Sequence, residues 1–126
     1  MKKTVGALFV MIVGLFALSG PALAHHGTAV YDANRHVSVQ GMVTRFEFSN
    51  PHAVLAVSVR SANGNVVEWE GEMTSPNHLQ RTGWTKNTLK IGDQVTLSGT
   101  PSKSGSNTMV IHKVLKEGQE IQLTTE

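Results

Sequence analysis

The stretch HVSVQGMVTRFEFS, His36 to Ser49, alternates apolar and polar residues: Val37 and Val39, then Met42 or Val43 after Gly41, then Phe46 and Phe48. A period of two puts alternate side chains on opposite faces of a strand, whereas a helix repeats every 3.6 residues. The pattern predicts a long strand with one buried face, and Gly41 within it suggests a bulge or sharp bend. Two further runs follow, AVLAVSVRS (Ala53 to Ser61) and VVEWEGEM (Val66 to Met73). Between them lies Ala62-Asn63-Gly64-Asn65, whose Asn-Gly is the strongest short-range hairpin signal.

Ser75 followed by Pro76 predicts a helix N-cap with proline at the first helical position. Gly83 stands where a C-cap belongs, so a helix of about two turns fits. LKIGDQVTLSGTPS turns through Gly92-Asp93 into a fourth strand, Gln94 to Gly99. NTMVIHKVLKEG gives a fifth, Thr108 to Leu115, and EIQL adds a short tail strand. Three strands, a helix and two strands is the chain order of an OB-type barrel. The expected fold is therefore mostly β: a small OB-like five-stranded antiparallel barrel with one short helix between strands 3 and 4. Another small antiparallel barrel or sandwich is the alternative.

The first 24 residues read differently. Lys2 and Lys3 precede an uncharged run, Val5 to Leu18, and Ala22-Leu23-Ala24 ends the segment. That order is the anatomy of a secretory signal peptide, and the run is short of the roughly 20 residues that span a bilayer. The expected organisation is a cleaved signal peptide over 1–24, an extended lead-in over 25–35 and the barrel domain over 36–126, in a periplasmic or secreted protein that leaves the membrane after cleavage. With no cysteine in the chain, disulfides and a lipoprotein anchor are excluded.

Cleavage also changes the charge. Of 11 Lys and Arg residues, Lys2 and Lys3 leave with the signal peptide, so nine cations face nine Asp and Glu residues. A neutral body with no basic cluster predicts that nucleic acid is not a partner.

AHHG…YD, GMVTRFEFSNPH, VEWEGE, RTGW and LKIGDQVTLSGTP together resemble an exported bacterial family catalogued as domain of unknown function 6152, over essentially the whole mature chain. The family features fall on His25 and His26, Asn50-Pro51-His52, Trp69 with Glu70 and Glu72, Gly83-Trp84 and Gly92-Asp93. Phe48 and Gly27 depart from it, where Trp and Ser are expected. The resemblance implies a small exported β-rich domain and supplies no activity.

Chemistry must come from the residues. Six histidines, His25, His26, His36, His52, His78 and His112, lie in a mature chain without thiols. Imidazole suits Cu, Zn, Fe and Ni, and a closed finger-type zinc site needs thiolates. After cleavage, the α-amino group and Nδ1 of His25 can chelate one metal. The amino group, with an ordinary pKa near 8, loses its proton at modest cost. A third nitrogen from His52, His26 or His112 would complete the tetragonal arrangement that Cu(II) prefers. Locally this is similar to the N-terminal histidine copper motif of lytic polysaccharide monooxygenases and periplasmic copper carriers; the rest of the chain resembles neither. An inert, solvated N-terminus is the competing reading.

His52 is set apart by its place after a turn: Asn50-Pro51 is explained by turn chemistry, and the histidine is not. Glu68, Glu70 and Glu72 share one strand face, with Trp69 on the other, which fits a solvated face better than an acid–base pair across a cleft. No nucleophile elbow, His-Glu-x-x-His, phosphate loop or Cys nucleophile is present, so a binding protein is preferred to an enzyme. Three readings follow: a copper-binding protein, a metal-free OB-like module binding a protein or saccharide partner, and a small redox enzyme built on the same copper.

Overall fold

The computed structural model describes residues 30–125. The elements run β1 (Val37–Glu47), β2 (Val54–Arg60), β3 (Val66–Glu72), α1 (Pro76–Gln80), β4 (Gln94–Pro101), β5 (Thr108–Lys116) and β6 (Gln119–Ile121). The sheet order is β3-β2-β1-β4-β5-β6, and β3 also pairs with β5, which closes five strands into a barrel. The fold is the OB-like barrel expected, with its helix between strands 3 and 4. One pair differs from the antiparallel rule: β3 and β5 run parallel, Glu70 opposite Thr108 and Glu72 opposite Val110.

β1 makes closure workable because it serves two partners in succession. Its first half, Val37 to Met42, pairs with β4, and its second half, Met42 to Glu47, pairs with β2. The bulge falls between Val43 and Arg45; of the bulge or sharp bend that Gly41 suggested, it is the change of partner that lies beside the glycine, at Met42. Apolar positions explain the shift: Val37, Val39 and Val43 are odd-numbered, Phe46 and Phe48 even, so one extra residue keeps both sets on the inner face. Val43 is fully buried and Met42 is 44% exposed. Gly41 answers a different need, since a Cβ there would run into the Ser58 carbonyl where β1 and β2 diverge. Gly99 in β4 is the same case, pressed against the Val110 carbonyl of β5.

α1 is shorter than the two turns expected. Ser75 caps it by accepting from the His78 N–H, and Pro76 occupies the first turn. Gly83, at φ 91°, ends the segment in a Schellman arrangement: its N–H donates to the Gln80 carbonyl, and the Trp84 N–H to that of Leu79. That turn sends Trp84 into the core with Leu79, Leu55, Leu97 and Met109. The Trp84 indole N–H donates to the Gln122 carbonyl at 2.7 Å, tying the chain end to the barrel.

Backbone close packing at Gly99 yields a direct expectation. Gly99→Ala forces β4 and β5 apart and should cost about 2–3 kcal/mol. Urea unfolding of this variant against the parent protein measures it.

Candidate functional site

The chain enters the barrel through Val30, Tyr31 and Asp32, which are hydrogen-bonded to the β4–β5 turn. Tyr31 bridges Ser102, the Asp32 N–H donates to the Pro101 carbonyl, and the Lys103 N–H donates to the Val30 carbonyl at 3.0 Å. The Tyr31 hydroxyl donates to Glu72 Oε2 at 3.3 Å. Val30 and Tyr31 thereby wall a cleft of about 240 Å³ against Val54, Glu70, Glu72 and Thr108. Burial of the Tyr31 ring edge, then the neighbouring Glu72 carboxylate, raises the phenol above its ordinary pKa.

Glu68, Glu70 and Glu72 alternate with Trp69 as the period of two requires, and Trp69 packs against the core. Each carboxylate has a partner. Thr44 donates to Glu68, Arg45 binds both Glu47 and Glu70, and Tyr31 donates to Glu72. The face is a paired, solvent-facing network.

The β4–β5 turn holds a feature that the sequence reading missed. Ser102, Ser104, Ser106 and Thr108 form a continuous hydroxyl chain, with oxygen separations of 2.8, 2.9 and 2.9 Å. It runs from a buried serine to the lip of the cleft. The signal was available as a hydroxyl at every second position in SKSGSNT. Tyr31 was also missed, because nothing in the local sequence marks an aromatic in a lead-in as a wall.

His52 is exposed, two residues ahead of Val54 in the cleft wall. Its Nδ1 lies 3.2 Å from the Met73 carbonyl oxygen. A carbonyl only accepts, so Nδ1 carries the proton and, in the neutral ring, the Nε2 lone pair is free. His112 faces outward from β5: its Nε2 meets Thr100 Oγ1 at 2.8 Å, and its ring stacks on His36 with centroids 6.3 Å apart. His78 is engaged with Ser75 at the helix cap. His52 and His112 thus have separate partners, and among the described residues no three His, Cys, Asp or Glu side chains gather in a group able to hold a metal ion. His25, His26 and the signal-peptide segment lie outside the described residues. No helix among the described residues is long and apolar enough to cross a membrane.

The profile of a family described as "Family of unknown function (DUF6152)" matches residues 13–111. No curated protein matches the chain. Among solved structures, a mitochondrial single-stranded DNA binding protein from S. cerevisiae, Rim1, is similar at a TM-score of 0.52 with 8% sequence identity, covering 68% of this chain and 95% of that one. A ZRD-deleted mutant of TiaS in complex with agmatine gives a TM-score of 0.43 and 18% identity, over 74% of this chain and 25% of that one. The first similarity is one of fold. It corrects the expectation that nucleic acid is excluded as a partner: a protein of this barrel fold binds single-stranded DNA, and a neutral net charge says nothing about the local potential of one face.

Tyr31 is the only tyrosine in the chain, so its titration reports the cleft directly. A raised pKa means that the folded state holds the phenol proton more tightly. The stability this contributes is complete below the ordinary value near 10 and is lost as pH rises through the higher folded value. The tyrosinate absorbance should therefore titrate above pH 10 in folded protein and near 10 in urea. Glu72→Gln should lower the folded midpoint only part of the way, because burial is the larger cause.

Proposed function

The chain belongs to the family of unknown function DUF6152, and from that premise we propose that it is an exported binding protein holding Cu(II) through the mature N-terminal histidine, His25, with His52 as a further ligand. The observation that carries this reading is the state of His52. Its Nδ1–H on the Met73 carbonyl fixes the ring and leaves Nε2 as the free donor, the arrangement that supporting hydrogen bonds give to metal-binding histidines. His112 is the weaker candidate, since its Nε2 is occupied by Thr100.

Chain length supports the pairing. Val30 and Val54 line one cleft, and His52 is two residues from Val54. Five residues separate His25 from Val30, at most about 18 Å of chain. His26 is one residue closer and is the alternative third nitrogen. Cleavage after Ala24 supplies the amino group, and export to the periplasm or beyond removes the chain from the cytosol.

A second reading, a metal-free module for a saccharide or protein, draws on the cleft and the hydroxyl chain at the β4–β5 turn, a loop by which OB folds engage ligands. On that reading, removing His25 and His26 leaves binding unchanged.

Calorimetric titration of Cu(II) into protein beginning at His25, beside the same protein with one extra N-terminal residue, separates the two. The copper reading expects tight one-to-one binding that collapses in the extended form, and a loss of about tenfold to a hundredfold in His52→Ala. Equal, weak binding by both forms overturns it.

A further inference from the structure

β1 and β2 part company at Met42 and Ser58, the last residues they pair. Both strands continue, β1 back to Val37 and β2 on to Arg60. Between them opens a groove of about 550 Å³. One wall is the β1 backbone from Ser38 to Met42; the other is Ser58, Val59, Arg60 and Val66.

The direction of the backbone groups along β1 follows from Val43. Its N–H donates to the Asp93 carbonyl and its own carbonyl accepts from the Gly92 N–H, both on the β4 side. The β1–β4 register is unbroken from Val37 to Met42, so odd-numbered residues bond toward β4 and even-numbered residues point away. Met42 meets β2. On the side away from β4, Ser38 and Gln40 have no strand opposite them among the described residues, and by that alternation their N–H and C=O groups face the groove. A row of unpaired strand donors and acceptors is a template for one more strand.

The geometry points to this groove as a docking site for an extended, acidic segment of a partner protein, added as a strand against Ser38 and Gln40. Main chain is the chemistry that matches alternating N–H and C=O groups at strand spacing. Met42 and Val66, 44% and 57% exposed, offer apolar contacts on either side. Among the described residues Arg60 is the one charged residue lining the groove; its guanidinium donates one bond, to the Gly64 carbonyl at 3.3 Å, and its remaining N–H groups select a carboxylate on the incoming segment. A second copy of this chain fits less well, because it would set Arg60 of each copy toward a groove whose charged residue is the same cation. This groove shares no lining residue with the cleft at Tyr31 and does not include His52, so it is independent of the copper reading.

Amide hydrogen exchange on the mature protein tests it, with acetyl-Val-Glu-Val-Glu-Val-amide and its lysine counterpart as probes. Without peptide, the Ser38 and Gln40 amides should exchange fast while those of Val39 and Gly41 are protected. The glutamate peptide should slow Ser38 and Gln40 at least about tenfold, and the lysine peptide much less. Arg60→Glu, an exposed substitution that leaves the fold intact, should reverse that preference. Equal effects of the two peptides, protection elsewhere, or protection that rises with protein concentration in the absence of peptide would overturn the proposal, the last by making a second copy the occupant.

Discussion

One strand with two partners is the constraint on which the rest of this barrel depends. In this barrel β1 passes from β4 to β2 at Met42. Met42 is opposite both Ser58 and Gln94. Two devices allow the turn: a missing Cβ at Gly41, where the backbones approach, and an extra residue after Val43, which returns Phe46 and Phe48 to the inside. Closure is then completed by the parallel contact of β3 with β5, extended by the Glu70 N–H to the Asn107 carbonyl.

The outer face follows from that closure. Register places Arg45, Ala56, Glu70 and Thr108 in one row across four strands. Ala56 is fully buried although it lies in the row of outward-facing residues, because Arg45 and Glu70 join across it. A small residue there lets the two charged side chains meet; exposed pairs of this kind are worth little in stability, so the network is better understood as fixing side-chain positions beside the cleft. The same row brings Thr108, the end of the hydroxyl chain, next to Glu70.

Much of the fold was legible because its signals are local. Alternation marked the strands, Asn63-Gly64 the hairpin, Ser75-Pro76 and Gly83-Trp84 the two ends of the helical segment. The parallel closure was not legible, since pairing between residues about forty apart leaves no mark in either strand. Gly41 admitted a bulge or a sharp bend: the bulge lies just beyond it, between Val43 and Arg45, while the change of partner falls beside it at Met42, and the sequence of β1 alone does not separate the two. For the candidate site, His52 was singled out from its turn, and the structure supplies the partner that gives the choice chemical content. Tyr31 escaped notice for the opposite reason: its role comes from Ser102 and Glu72, each distant in sequence.

The lead-in joins these threads. Two backbone hydrogen bonds, which together make the Tyr31–Ser102 bridge, hold Val30 to Asp32 on the β4–β5 turn, and Val30 itself lines the cleft. A short tether confines a group to a small volume and raises its effective concentration to the millimolar range for a flexible chain. On the copper reading, a histidine five residues upstream would not have to find His52 from free solution. On that reading Tyr31 would matter to metal binding without touching metal. Loosening it would lower affinity through the tether and leave the His52 ring, held by Met73, as it is. Tyr31 is thus a positioning residue in that reading, and its raised pKa would make such a tether weaken at alkaline pH, where the phenol loses the proton that it shares with Glu72.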